Sequence, residues 1–181
     1  MTRVEALELI RKYVKNKNLI KHMIATEAVM KALANRLGYD EEIWGLTGLL
    51  HDIDYDLTKD EPEKHGLVSI ELLEEYNLPS EMLNAIKAHS GKKELETPIE
   101  KALYAADPVT GLIVAAALIR PEKKLEVIDT KFVMNRFKEK SFARGANREQ
   151  IKSIENLGLK LEEFIGIALE AMTNVASDIG L

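Results

Sequence analysis

The sequence predicts an all-α protein that folds as one helical bundle. Apolar residues recur at helical spacing over nearly the whole chain, no run alternates apolar and polar residues as a half-buried strand does, and no Asn-Gly pair marks a hairpin. A chain of 181 residues, of which 46% are hydrophobic and 30% charged, can bury one sizeable core. No Pro/Gly/Ser-rich linker divides it, so we expect a single domain.

Most predicted helices of the first half begin at a capping residue or a first-turn proline, and glycine or polar residues separate several of them. The capping box Thr2-Arg3-Val4-Glu5 predicts a first helix to Val14, and after a polar break at 16–18 a long helix is predicted over 19–37, ending at Gly38. Asp40 is the expected cap of a third helix, which carries His51-Asp52 near its end and is followed by a loop over 54–61. Pro62 is expected to open a helix to Tyr76, and Ser80 to cap a helix to His89.

The second half contains the strongest helix start in the chain. The segment Thr97-Pro98-Ile99-Glu100 combines a capping box with a first-turn proline. Pro108 lacks a backbone N–H and is expected to kink or interrupt this helix, and Pro121 ends the apolar run that follows. Two or three further helices are predicted in the C-terminal third, with Asn147 as a start and Gly158 as a stop.

Composition restricts the classes of function. The chain has no cysteine, which excludes disulfides and thiolate metal sites. The net charge of -5 argues against a nucleic-acid-binding surface, although it leaves room for a local basic pocket. The N-terminus is charged and amphipathic, unlike a signal peptide, and the apolar run at 111–119 is too short to span a bilayer. We therefore expect a cytoplasmic protein that has neither long nucleic acid nor a membrane as a partner.

The candidate chemistry lies in the histidines and in two aspartates. The stretch GLLHDIDYD at 48–56 delivers His51 and Asp52 at the end of an apolar run, and Asp107 lies on a helix rich in alanine. A lone buried carboxylate is costly, so Asp107 should be paired or metal-bound. Imidazole and carboxylate together suit Mn, Fe, Co, Ni or Zn. The residues alone leave a metal site and incidental histidines about equally open. The four histidines of the chain are His22, His51, His65 and His89.

The order of these residues resembles a known family. His22, then His51-Asp52, then Asp107 is similar to the H…HD…D signature of the HD-domain superfamily of metal-dependent phosphohydrolases. The resemblance covers about 20–120 and implies a helical fold with a central metal site, on which the helices of 121–181 pack within one domain. His65 and His89 resemble the two extra histidines of a two-metal subset, similar to small bacterial diadenosine tetraphosphate hydrolases.

The resemblance also implies roles for these residues. One or two divalent ions, with Fe or Mn favoured, are the expected cofactors, and Asp52 would bridge them. The implied activity is hydrolysis of a phosphate ester or anhydride of a nucleotide or small phosphorylated metabolite by a metal-activated hydroxide. A metal- or nucleotide-binding sensor of the same fold without turnover is the alternative, and an all-α interaction protein is a third interpretation. The first ion would bind His22, His51, Asp52 and Asp107, and the second Asp52, His65 and His89.

Four more residues are candidates for the chemistry. Asp54 could orient the attacking water or protonate the leaving group, which makes it a catalytic candidate beside Asp52. Arg120, Lys140 and Arg144 are candidates for binding substrate phosphate, the last two as i,i+4 neighbours. A solvated basic surface is the alternative for these three. The amphipathic segment LEEFIGIALEAM at 161–172 could pack on the core or on a second subunit, which leaves a homodimer open.

Overall fold

Eleven α-helices build the structure, a computed structural model that describes residues 1–181. No residue lies in a strand, so the predicted all-α class is confirmed. The helices are α1 (Arg3–Tyr13), α2 (Lys17–Leu37), α3 (Glu41–Leu50), α4 (Tyr55–Thr58), α5 (Leu67–Leu73), α6 (Ser80–His89), α7 (Pro98–Leu118), α8 (Thr130–Lys138), α9 (Arg148–Lys152), α10 (Leu161–Asn174) and α11 (Ala176–Ile179).

Most of the caps identified in the sequence start and stop the helices as expected. Ser80 is an exception, because it is the first residue of α6, where Pro79 takes the cap position and no side chain caps the helix. Thr2 and Thr97 both form complete capping boxes, with Glu5 and Glu100 respectively. The side chain of Asp40 accepts hydrogen bonds from the backbone at the start of α3. Gly38 has φ +79° after α2, the left-handed conformation that ends a helix. These starts and stops are local, which is why the sequence alone locates them.

The region around His65 differs from the prediction of a helix from Pro62 to Tyr76. Pro62 opens only one 3-10 turn, and non-helical backbone at His65 and Gly66 separates this turn from α5. Gly66 has φ +81°, and a Cβ there would overlap Ser90 Oγ, so the chain needs glycine to make this turn. The predicted loop over 54–61 contains the one-turn helix α4. His65 is therefore presented by a turn at a helix N-terminus.

Helix α7 runs without interruption through Pro108, contrary to the expected kink. The missing N–H costs about 3 kcal/mol in a helix interior. Thirteen of its 21 residues are buried against neighbouring helices, and this apolar burial outweighs the loss of one hydrogen bond. By length and composition α7 could cross a membrane, and 56% of its apolar window is buried inside the domain. The 111–119 run that the sequence suggested is thus part of a longer apolar helix.

Two apolar clusters form the core. The smaller cluster joins buried residues of α1, α3 and α6, including Ile10, Leu50 and Ile86. The larger cluster centres on α7 and includes Phe164 and Met172 of α10, so the 161–172 segment packs on the core of its own chain. The candidate site described next takes its residues from helices that belong to both clusters.

Candidate metal centre

Five elements bring the predicted metal ligands together at the junction of the two clusters. The ligands lie on α2, directly after α3, just before α5, at the last residue of α6, and in the middle of α7. The close approach of α3 to α2 depends on Gly48, since a Cβ there would lie 2.8 Å from the carbonyl oxygen of Thr26. The residues so positioned are His22, His51, Asp52, His65, His89 and Asp107.

Asp52 stands at the middle of this cluster, with each carboxylate oxygen facing two histidines. Its Oδ2 lies 3.6 Å from His22 Nε2 and 3.5 Å from His51 Nε2. Its Oδ1 lies 3.4 Å from both His65 Nε2 and His89 Nε2. Asp107 Oδ1 lies 3.1 Å from His22 Nε2 and 3.8 Å from His51 Nε2. The carboxylate of Asp52 thus separates two sets of ring nitrogens, as a bridging ligand would.

The other ring nitrogen of each histidine has its own partner. His22 Nδ1 lies 2.9 Å from Thr110 Oγ1, which donates its own proton to the Asp107 carbonyl. His51 Nδ1 donates to the Gly48 carbonyl, and His89 Nδ1 donates to the carbonyl of Ile86. His65 Nδ1 donates to Asp54. Because Nδ1 of each ring is engaged in this way, the four Nε2 atoms face the cluster, the arrangement that metal-ligating histidines adopt.

The charges of the cluster favour a bound cation. Burial alone would lower the pKa of His51, but the neighbouring Asp52 and Asp107 raise it to about 9. Burial opposes ionisation of Asp107, yet His22 and His51 hold its pKa well below the usual value. The pKa of Asp52 is held low in the same way by His51 and His89. Two ionised carboxylates among buried imidazoles favour positive charge between them, whether carried by protons or by metal ions.

The donor set fits divalent metal ions. His89 Nε2 is buried and has no hydrogen-bond partner, which is costly for a polar atom unless something binds it. His22, His51 and Asp107 form one group whose ligand atoms lie within 4.8 Å of one another, and His51, Asp52 and His89 form a second such group. Nitrogen and carboxylate ligands suit Mn, Fe, Co, Ni or Zn. The cluster could therefore hold a metal ion, while the number and identity of ions stay predictions.

The carboxylate of Asp54 is not placed to meet a water or a leaving group, as its predicted catalytic role would require. Its side chain is fully buried behind His65, and Oδ1 accepts a hydrogen bond from His65 Nδ1 at 2.8 Å. Its Oδ2 accepts from the backbone N–H groups of Gly66 and Ser69, at 2.7 and 2.9 Å. These bonds occupy the carboxylate, so it has no free face for a water or a leaving group. The geometry makes Asp54 a positioning residue for His65 and for the start of α5.

The structure does not bring the three predicted phosphate-binding residues to this cluster. Arg120 follows Asp107 by 13 residues, about 20 Å along a helix, and its guanidinium faces Glu122 and the Phe132 ring. Lys140 and Arg144 are exposed and do not lie on a helix, so the expected i,i+4 pairing fails. The cause is Arg148, whose guanidinium donates to six backbone carbonyls between 136 and 146 and folds this segment into a compact turn.

Two residues beside the cluster were missed from the sequence. Thr110 fixes the ring of His22, and its position three residues after Asp107, on the same face of α7, was the available signal. Tyr55 is half exposed and packs edge-to-face on His65, with ring centroids 5.5 Å apart. No spacing rule connects Tyr55 to His65, because the turn between them sets their contact.

Comparison with known proteins agrees with the residue pattern. The sequence profile of a family described as "HD domain" matches residues 19–130. Ribonuclease Y of Clostridium perfringens strain SM101 is 32% identical over 138 residues, which cover 73% of this chain and 26% of that protein. Ribonuclease Y of Sulfurovum sp. strain NBC37-1 is 31% identical over 113 residues, covering 62% of this chain and 21% of that protein. The chain spans about a quarter of the length of these curated relatives. No solved structure matches the chain.

These findings overturn the predicted partners. Net charge was taken to exclude long nucleic acid, yet the relatives are named ribonucleases, so the exclusion is wrong. The exclusion of a membrane is overturned as well. It rested partly on the short run at 111–119, whereas α7 is long and apolar enough to cross a membrane by length and composition. The likeness to diadenosine tetraphosphate hydrolases in particular stays a prediction, since both of these relatives carry a different name. A modest net charge does not describe the local field around a metal centre.

Proposed function

The chain belongs to the HD-domain family of metal-dependent phosphohydrolases, and from this premise we propose that it hydrolyses a phosphate ester or anhydride of a nucleotide, either free or within an RNA strand. The observation that carries the proposal is the convergence of four histidine Nε2 atoms on the two oxygens of Asp52. That geometry supports two ions, with Fe or Mn favoured by the mixed imidazole and carboxylate ligands.

Each ligand has a definite task in the proposed reaction. His22, His51 and Asp107 would hold one ion, His65 and His89 the other, and Asp52 both. Bound divalent ions lower the pKa of a water ligand and offset the charge of a phosphate in its transition state. In the hydrolysis the water oxygen forms a bond to phosphorus and releases a proton, while the leaving oxygen departs with the electron pair of the broken P–O bond and takes up a proton.

The protein contributes chiefly orientation. Thr110, Asp54 and the carbonyls of Gly48 and Ile86 each hold one imidazole proton on Nδ1, so that Nε2 is the nitrogen that faces the cluster and would bind an ion. Burial of His51 and His89 keeps water away from one side of the cluster, while Asp107 and His22 are partly exposed and mark the side that a phosphate can approach.

The test measures metal content and turnover on the same preparations. We expect about two ions per chain after reconstitution with Mn²⁺, and hydrolysis of nucleotides or of a short RNA that stops on chelation. Asp52→Asn keeps the size of the side chain but loses the bridging charge, and should lose both metal and activity. Asp56→Asn is the matched control, because Asp56 lies four residues away and bonds only to the backbone of 15–16.

Two results would contradict the proposal. Hydrolysis that survives in metal-free protein would show that the cluster is not the catalytic site. Full metal loading without hydrolysis of either nucleotides or RNA would instead favour the sensor alternative. A panel that contains both substrate types separates a mononucleotide hydrolase from a ribonuclease, since each would act at least on the order of tenfold better on its own class.

A further inference from the structure

A cavity of about 350 Å³ lies directly beside the His22 side of the metal centre. Three elements enclose it: α2, α7 and the segment 179–181 that ends α11. His22 and Thr110 belong both to its lining and to the metal centre. The cavity and the centre are therefore continuous, and a molecule bound at one can extend into the other.

Helix α7 supplies a wall that leads away from the metal centre. Asp107, Gly111, Val114 and Leu118 follow one another at spacings of four, three and four residues, which places them on one helix face. This face extends about 16 Å from the carboxylate of Asp107 to the exposed Leu118. The last three line the cavity, so a substrate whose phosphate lies at the centre would run along them.

The chemistry of the lining is apolar with one cation. Ala25, Val114 and Ile179 provide apolar walls, and Lys21 provides the one charged side chain apart from the histidine. Lys21 is half-buried and forms neither an ion pair nor a hydrogen bond. A Cβ on Gly180 would lie 2.6 Å from its Nζ, so the ammonium reaches across to the third wall. An unpaired, half-buried ammonium beside a phosphohydrolase centre is suited to an anion.

We propose that this cavity binds the nucleoside of the substrate nucleotide, with Lys21 facing an adjoining phosphate. The proposal rests on the proposed function, which places the reacting phosphate at the metal ions. A nucleobase has apolar faces and a polar edge, which matches apolar walls with Asn18 and Lys21 at the rim. The volume is within the range of about 300–1,000 Å³ that small-molecule sites occupy. A free nucleotide and a nucleotide unit of RNA share this chemistry.

Gly111→Phe tests the proposal by filling the cavity. A Cβ at Gly111 meets no atom within 4 Å, so the ring has open space to enter. The probes are methylphosphonate and the phosphonate analogue of AMP, whose P–C bonds resist hydrolysis, titrated into Mn²⁺-loaded protein by calorimetry. The AMP analogue should bind the native protein on the order of tenfold more tightly than methylphosphonate, or about 1.4 kcal/mol. In Gly111→Phe this ratio should fall to near one.

The controls separate this proposal from the proposed function. Gly145→Phe introduces the same ring at another glycine with open space, outside the cavity, and should keep the native ratio. Gly111→Leu serves as a second filling variant with a better helix former. If methylphosphonate binds but the ratio is near one in native protein, or is unchanged in both Gly111 variants, the nucleoside site is wrong and the metal chemistry stands. If neither probe binds, both proposals fail.

A short oligoribonucleotide with hydrolysis-resistant phosphorothioate links distinguishes the two sources of the nucleoside. Binding tighter than that of the AMP analogue, reduced in Lys21→Gln, indicates an RNA strand whose next phosphate meets the ammonium. Equal binding of the two probes indicates a free nucleotide. Both results support the nucleoside site, provided that Gly111→Phe weakens each probe.

Discussion

The two halves of the metal centre are built in different ways. His22 and Asp107 lie within the two longest helices, α2 and α7, and His51 follows α3, which packs closely on α2. His65 instead lies in a turn before the seven-residue helix α5, and His89 ends the ten-residue helix α6. The first half is thus fixed by core packing. In the second half His89 ends a helix that packs in the smaller cluster, whereas the position of His65 depends on hydrogen bonds close to it.

This difference has a consequence for metal binding. Positions fixed by the large core change only if many apolar contacts change together, since packed interiors resist local deformation. Positions fixed by a turn can be lost through one hydrogen bond. We therefore expect the ion at His65 and His89 to be held more weakly than the ion at His22, His51 and Asp107, and the following variants test this order.

The largest effect is expected in the core-built half. His22→Ala removes a ligand that faces both carboxylates, and activity should fall by on the order of 10³-fold, the upper end for loss of one electrostatic contact at a reacting group. Steady-state kinetics with elemental analysis measure activity and ion content together. An unchanged ion content with unchanged activity would remove His22 from the centre.

The turn-built half should respond less strongly. His65→Ala is expected to lower activity by on the order of 10²-fold, the lower end of the same range, because the other ion stays bound. Ion content should fall from about two per chain to about one. A loss equal to that of His22→Ala in both activity and ion content would show that the two halves bind metal as one unit, and would contradict the comparison.

A smaller effect is expected when the hydrogen bonds that hold the turn at His65 are weakened. Asp54→Asn loses the charge that holds His65, so affinity for the second ion should fall by about 10–100-fold. It also weakens bonds to the backbone of Gly66 and Ser69, at a cost of about 1–3 kcal/mol in unfolding free energy. Asp56→Asn removes an acceptor for the backbone of Lys15 and Asn16, and should cost stability alone. Metal titration and denaturant unfolding of both variants measure these effects. If Asp54→Asn bound the second ion as tightly as Asp56→Asn does, the supporting role of Asp54 would be contradicted.

The smallest effect is expected for the dependence of the melting temperature of the metal-free protein on pH. The pKa of His51 is raised from 6.5 to about 9 by the carboxylates beside it. Its proton therefore contributes stability that is fully present below about pH 6.5 and is lost as pH rises through about 9. The melting temperature of the metal-free protein should fall over this window, while that of the Mn²⁺-loaded protein should not, because the ion takes the place of the proton. Parallel melting curves with and without chelator measure both, and curves with the same pH dependence would argue against His51 as a ligand.

The same contrast explains how far the sequence could be interpreted. The capping boxes at Thr2 and Thr97 and the stop at Gly38 were located correctly, because each acts within one turn of its helix. The continuity of α7 through Pro108 was not, because it depends on neighbouring helices. In the same way the pairing of Lys140 with Arg144 was expected on a helix, but Arg148 draws that segment into a turn.

The sequence by itself determined the all-α class, the starts and stops of most helices, and the identity of the six residues that form the cluster. Only the tertiary structure decided that all four histidines turn Nε2 inward, that Asp54 supports His65 from behind, and that a cavity continues from His22 along α7. The physical reason is the distance along the chain over which each feature is determined. A cap or an apolar stripe is encoded within a few residues, whereas the direction of a ring nitrogen depends on groups such as Thr110 that lie 88 residues away along the chain.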